Sequence, residues 1–291
     1  MQVIIHAGVH CTGGDRLVKC LLRNSDLLRS QGTVVPGPSR YRGLLAQILG
    51  AAREAPLAQD AREVFLDAIL DDDHVERLVL SDTNFFATDR GALAWGMPYA
   101  RASEHLAYLR ELMQGDEVEL YLGLRDPATW IPAVYKFSGA TDYRDFLGGC
   151  DPLEFRWSEM VERILEEVPG LRITAWCNED TPLTWGQIVR DIGGLDSTQK
   201  IKGAFDILTN IMAPEGTKRF RAYLKQHPQM PEIQKRRVMA AFLAKYVEDD
   251  KVEEELDLPG WSPELVETMT EGYEEDVYRI ARLPGVTLIS P

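Results

Sequence analysis

Two hydrophobic periods alternate along this chain. Short apolar runs at Val3-Ile4-Ile5, in LVLSDTNFF (78–86), in VELYLGL (118–124) and in LRITAWC (171–177) have the length of buried strands. Between them, apolar residues recur at helical spacing. Examples are Leu17, Val18, Leu21 and Leu22; Val64, Leu66, Ile69 and Leu70; and Leu106, Leu109, Leu112 and Met113. The pattern predicts strands over 2–6, 78–86, 118–124 and 171–177. It predicts helices over about 15–29, 41–53, 57–71, 99–113, 128–137, 157–168 and 183–192, the last stopped by Gly193-Gly194. VVPGPSRYRG (34–43) reads as a turn-rich loop, and 139–155 as an excursion of no clear period. Downstream the chain reads as helix throughout, over about 203–212, 214–226, 231–247 and 262–282. Strands alternating with helices predict a three-layer α/β fold, a parallel sheet flanked by helices. The expected division is an α/β domain over 1–195 and a helical C-terminal extension over 196–291.

A parallel sheet delivers its ligand-binding groups at the carboxyl ends of its strands. Four such ends carry polar residues: HAGVHCTGGD (6–15), Ser81-Asp82-Thr83-Asn84, Leu124-Arg125-Asp126-Pro127 and Cys177-Asn178-Glu179-Asp180. The first has the strand, glycine-bearing turn and helix of a phosphate loop, with Gly8 and Gly13 at P-loop spacing. The lysine and hydroxyl that should follow are Gly14 and Asp15, which disfavours NTP hydrolysis. Asp15 stands where the helix begins. As an N-cap it would accept an amide of the first turn and take the place of a phosphate. Against that, Arg16 and Lys19 in the first turns and Arg40 and Arg42 in the next loop would supply positive charge. His10 and Asp82 are the leading candidates for a general base, with Glu179 as a further one. Cys11 invites a nucleophile or redox reading, against the simpler one of a small apolar filler. Trp176 and Trp185 read as core, or as a stacking surface for a base.

Composition narrows the classes. At 45% hydrophobic and 27% charged, the chain reads as an ordinary soluble protein. No apolar run has the length of a membrane span, and no basic-then-apolar leader precedes the first strand. Four scattered cysteines without a CxxC pair argue against a zinc site or a disulfide framework and suit a cytoplasmic location. The net charge of −14 disfavours nucleic acid. Much of it lies in residues 246–291, expected as a solvated face of the C-terminal helices or a surface for a protein partner. Residues 218–237 run the other way, with seven basic residues against Glu232. The expectation is that they pair with the acidic helices; a phosphate-facing role is the alternative.

Taken together, these residues resemble the bacterial branch of the sulfotransferase superfamily, over roughly residues 1–195. His6, Gly8, His10, Thr12, Gly13, Leu17, Asn24, Leu28, Gly32 and the Val35-Pro36-Gly37 turn follow the family's opening pattern. Leu80-Ser81-Asp82-Thr83 resembles its second strand end, Arg125, Pro127 and Tyr135 its arginine segment, and Asn178-Glu179-Asp180 its acidic turn. The family lysine falls at Cys11, its loop hydroxyl residues at Gly14 and Asp15, and its 3′-phosphate serine at Ala133. The resemblance implies a P-loop-type sheet and a cleft for 3′-phosphoadenosine 5′-phosphosulfate (PAPS) or its product adenosine 3′,5′-bisphosphate (PAP). It implies a 5′-phosphosulfate held by Gly8, Cys11, Thr12, Gly13, Gly14, Asp15 and Arg16, a 3′-phosphate held by Arg125, and a base at His10 or Asp82. It implies sulfuryl transfer without a metal. The alternative is a non-catalytic relative that serves as a binding module.

Overall fold

The computed structural model describes residues 1–71, 74–252, 256 and 258–291. The first half of the chain forms β1 (Gln2–His6), α1 (Arg16–Leu22), α2 (Ser25–Ser30), β2 (Thr33–Val34), α3 (Pro38–Ala52), α4 (Ala61–Ile69), β3 (Arg77–Ser81), α5 (Ala102–Leu112), β4 (Glu117–Leu124) and α6 (Pro127–Ser138). There follow α7 (Tyr143–Leu147), α8 (Trp157–Glu167), β5 (Arg172–Cys177), α9 (Thr181–Gly193), α10 (Asp206–Ile211), α11 (Pro214–Gln226), α12 (Glu232–Tyr246), α13 (Pro263–Ile280) and β6 (Val286–Ile289). The six strands make one parallel sheet in the order β2-β3-β1-β4-β5-β6.

Strand side chains alternate between two cores, as a doubly covered sheet requires. Val3, Ile5, Leu78, Leu80, Leu120 and Leu122 face a large core shared with α3, α4, α5, α6, α8 and α13. Ile4, Val79, Tyr121 and Trp176 face the opposite layer, built by α1, α2 and α9. A third, smaller cluster of Leu208, Met212, Phe220 and Met239 holds α10, α11 and α12 together.

Local chemistry sets the element ends. Asp126 caps α6 by accepting the Ala128 amide at 2.9 Å, Pro127 opens it, and Gly139 closes it at φ +66°. Pro132 lies inside the same helix and has no amide to give the carbonyl of Ala128. The indole of Trp261 supplies the missing donor at 2.8 Å, which ties the approach to α13 onto α6.

Several expectations are corrected. The single helix expected over 15–29 is two, because Asn24 turns its side chain back to the Cys20 carbonyl (2.8 Å) and also binds both backbone groups of Lys202. The loop expected at 34–43 contains the start of α3, so Arg40 and Arg42 are helical. The C-terminal part is not helical throughout. After the small α10–α12 cluster, α13 packs on α6 and α8, and β6 joins the sheet beside β5. Residues 263–289 thus pack on and extend the sheet that residues 2–177 begin.

Candidate functional site

The carboxyl ends of β1, β3, β4 and β5 share one rim, because the strands are parallel. The loop after β1 first runs along β4, with Ala7 and Val9 amides bound to Tyr121 and Gly123 carbonyls at 3.2 Å. It then coils tightly. Gly8, Cys11, Gly13 and Gly14 all have left-handed backbones, at φ +51°, +61°, +103° and +54°. Three are glycine, for which this costs nothing; Cys11 carries the strain. The Thr12 hydroxyl closes the turn on the Val9 carbonyl at 2.7 Å. Gly13 and Gly14 are exposed, and among the described residues no acceptor takes either amide. A Cβ placed on Gly14 would meet nothing within 4 Å, and one on Gly13 would meet Arg16 Cδ at 3.7 Å. Open amides with an arginine beside them are the kind of donor that an anion accepts from.

Asp15 corrects the expectation of a self-capped helix. It is the N-cap residue of α1, yet its carboxylate accepts no amide. Arg42 of α3 draws it aside instead, with Nη2 2.7 Å from Oδ1. The same guanidinium donates to the Ser81 carbonyl through Nε (2.9 Å) and Nη2 (2.7 Å), and its Nε lies 3.8 Å from Asp82 Oδ1. Arg42 therefore joins the first and second strand ends. Arg40 points elsewhere, to Asp71.

His10 is buried beneath the loop, and both ring nitrogens are engaged. Its amide donates to the Tyr99 hydroxyl at 2.8 Å, and Nδ1 lies 2.7 Å from the same oxygen. Burial holds the Tyr99 phenol well above its ordinary pKa, so it stays protonated. With its oxygen already accepting from the His10 amide, its proton goes to Nδ1. Nε2 is then the donor, 2.9 Å from Asn84 Oδ1 and 3.9 Å from Asp89 Oδ1. In this arrangement His10 offers no unoccupied lone pair. Asp82 is freer: Oδ1 accepts the Asn84 amide at 2.9 Å, and Oδ2 has no hydrogen-bond partner among the described residues.

Arg125 is buried at the end of β4. Nη1 donates to the Cys11 carbonyl at 2.6 Å and Nε to Thr129 Oγ1 at 3.0 Å, so the guanidinium braces the strained turn of the loop. At the fourth strand end, Glu179 accepts the Asp126 amide (3.0 Å) and the Tyr273 hydroxyl (3.2 Å), and loss of solvent pushes its carboxyl up. His6 bonds Ser81 Oγ through Nδ1 at 2.9 Å and stacks on Trp176. Trp176 and Trp185 are both core.

The structure thus brings Gly8, His10, Cys11, Thr12, Gly13, Gly14, Asp15, Arg16, Asp82 and Arg125 to one rim. Sequence reasoning missed Tyr99 and Asp89; it named Asn84 at the second strand end without its bond to His10, and set Arg42 where the expected loop and helix overlap. Tyr99 carries no motif; its role depends on a left-handed backbone at φ +46° after Pro98.

Among the described residues, the basic stretch over 218–237 pairs locally and not with the acids of α13: Arg219 with Glu215, Lys235 with Glu232, and Arg236 with Gln187 and the Ser290 carbonyl. Five acidic residues of α13, Glu264, Glu267, Glu271, Glu274 and Glu275, form a solvated face, while Asp276 is buried and accepts the Ser158 amide at 3.0 Å. Glu253, Glu254, Glu255 and Asp257, also counted in that acidic region, lie outside the described residues. Two cavities, of about 240 and 480 Å³, are lined by neither the loop, Asp82 nor Arg125. Among the described residues no group of three or more His, Cys, Asp or Glu side chains is placed to hold a metal. Among the described residues no helix is long and apolar enough to cross a membrane. Neither protein-family models nor curated proteins give a match to this chain.

Proposed function

We propose that the chain is a sulfotransferase-like protein that binds a phosphorylated ligand, of the PAP or PAPS type, at the loop after β1. The observation that supports this reading is the pair of exposed residues Gly13 and Gly14, whose amides have no acceptor among the described residues, beside the Arg16 side chain. An anion there would gain fixed donors at little reorganisation cost. In the active form of this reading, Gly13, Gly14, Asp15 and Arg16 hold the 5′-phosphosulfate. Asp82 takes the acceptor proton on Oδ2, while His10 donates from Nε2. Arg125 acts at one remove, by holding the loop's shape through Cys11. The four free thiols suit a reducing cytoplasm.

A second reading, a non-catalytic binding module, draws support from the engaged side chains. Arg125 and His10 are committed to internal hydrogen bonds, and no lysine enters the loop. Calorimetric titration with PAP, with adenosine and ATP as controls, separates the two. The phosphate reading expects saturable PAP binding, absent for adenosine and weakened about tenfold by Arg16→Ala. Failure of PAP to bind at about millimolar concentration would leave the binding module as the surviving reading.

A further inference from the structure

The larger cavity, of about 480 Å³, lies away from the sheet's rim, between α10, α11 and the turn at 249–251. Its volume is within the range of small-ligand sites. One face of α11 forms a wall: Pro214, Thr217, Lys218 and Arg221 follow the i, i+3, i+4, i+7 spacing. The opposite face of the helix buries Gly216 and Phe220 in the small core with Met212. That anchoring fixes the rotation of α11 and holds Lys218 and Arg221 toward the cavity. Lys251 approaches from the other side, and Asn210 lines the rim.

The charge pattern singles out two of these cations. Arg219, on the same helix, is paired with Glu215, and Lys251 is paired with Glu248. Lys218 and Arg221 have no ion pair among the described residues, in a chain whose net charge is −14. We infer that the cavity binds a small molecule carrying a phosphate or sulfate group. The guanidinium of Arg221 meets the anion with its planar fork, and Lys218 adds charge. Pro214 receives the apolar part of the ligand, and the Asn210 amide orients it. The site is independent of the loop after β1.

Isothermal titration with inorganic pyrophosphate tests the inference. Lys218, Arg221 and Lys225 are all exposed, so their substitution leaves the fold intact, which circular dichroism verifies. The expected result is saturable, sub-millimolar binding, weakened about tenfold or more in Lys218→Ala and in Arg221→Ala. Lys225→Ala, on the same helix but outside the cavity, is expected to bind as the parent does. No saturation by about 10 mM would overturn the inference. So would equal weakening by Lys225→Ala, which would reduce the effect to diffuse charge. Citrate binding as tightly as pyrophosphate would overturn the assigned ligand class.

Discussion

A single hydroxyl, that of Tyr99, decides what His10 can do. It accepts from the backbone of His10 and sits on its Nδ1, so one oxygen fixes both the loop and the tautomer. Tyr99→Phe leaves a buried amide and a ring nitrogen without their partner. Stability is expected to fall by about 1–3 kcal/mol, read from the urea midpoint. An unchanged midpoint would mean that the hydroxyl contributes nothing. His6, one strand position before the loop, predicts a pH dependence. Burial first, and the charge of Arg42 second, lower its pKa to about 4. An unfolded histidine titrates near 6.5, so between these values the unfolded chain binds the extra proton. The neutral ring's contribution is complete above about pH 6.5 and is lost as the pH falls toward 4, on the order of 3 kcal/mol. Urea denaturation at pH 7 and pH 4.5 should show this fall in the parent and a smaller one in His6→Gln.

Elements were legible where their own residues specify them. The apolar runs of β1, β3, β4 and β5, and the glycine stop of α9, need no distant partner to be read. β2 has two residues and β6 four, too few to show a period. The break between α1 and α2 was invisible because its cause, the Asn24 side chain, answers to Lys202 far along the chain. The candidate site divides in the same way. The strand-end residues announced themselves through spacing and turn chemistry. Tyr99 and Arg42 reach the rim only through tertiary packing, and the fate of Asp15 was settled by a helix it does not touch in sequence. The crossing of α11 and α12 shows how such packing can overrule propensity. A Cβ on Gly216 would collide with Cβ of Tyr246. Alanine is the better helix former by about 1 kcal/mol. Even so, Gly216→Ala is expected to destabilise by about 1–3 kcal/mol in a thermal melt, because the obstacle is the root of a side chain rather than its mobile tip. A raised melting temperature would show that the helices can part cheaply.

At the scale of the molecule, the sheet is assembled from both halves of the chain. The return of α13 and β6 places Tyr273 against Glu179 and Ile289 in the core beneath Trp176. Ile289→Ala, although almost at the last residue, is expected to cost about 2–4 kcal/mol by chemical denaturation, as a core truncation does. A loss within about 0.5 kcal/mol, typical of a surface position, would mean that β6 is not held in the core.

That late return also has a consequence for biosynthesis. When β5 leaves the ribosome, the strand that covers its outer edge has yet to be translated. About a hundred residues separate them, or on the order of 5–20 s at ordinary elongation rates. During that interval Ile173 to Trp176 present an unpaired backbone edge to every other nascent chain nearby, the condition under which strands pair with the wrong partner. The helices α10–α12, translated in that window and folding on a core of their own, stand between the growing edge and its completion. The speed of translation through residues 200–285 is therefore a variable in the yield of this protein, and slowing it should increase aggregation.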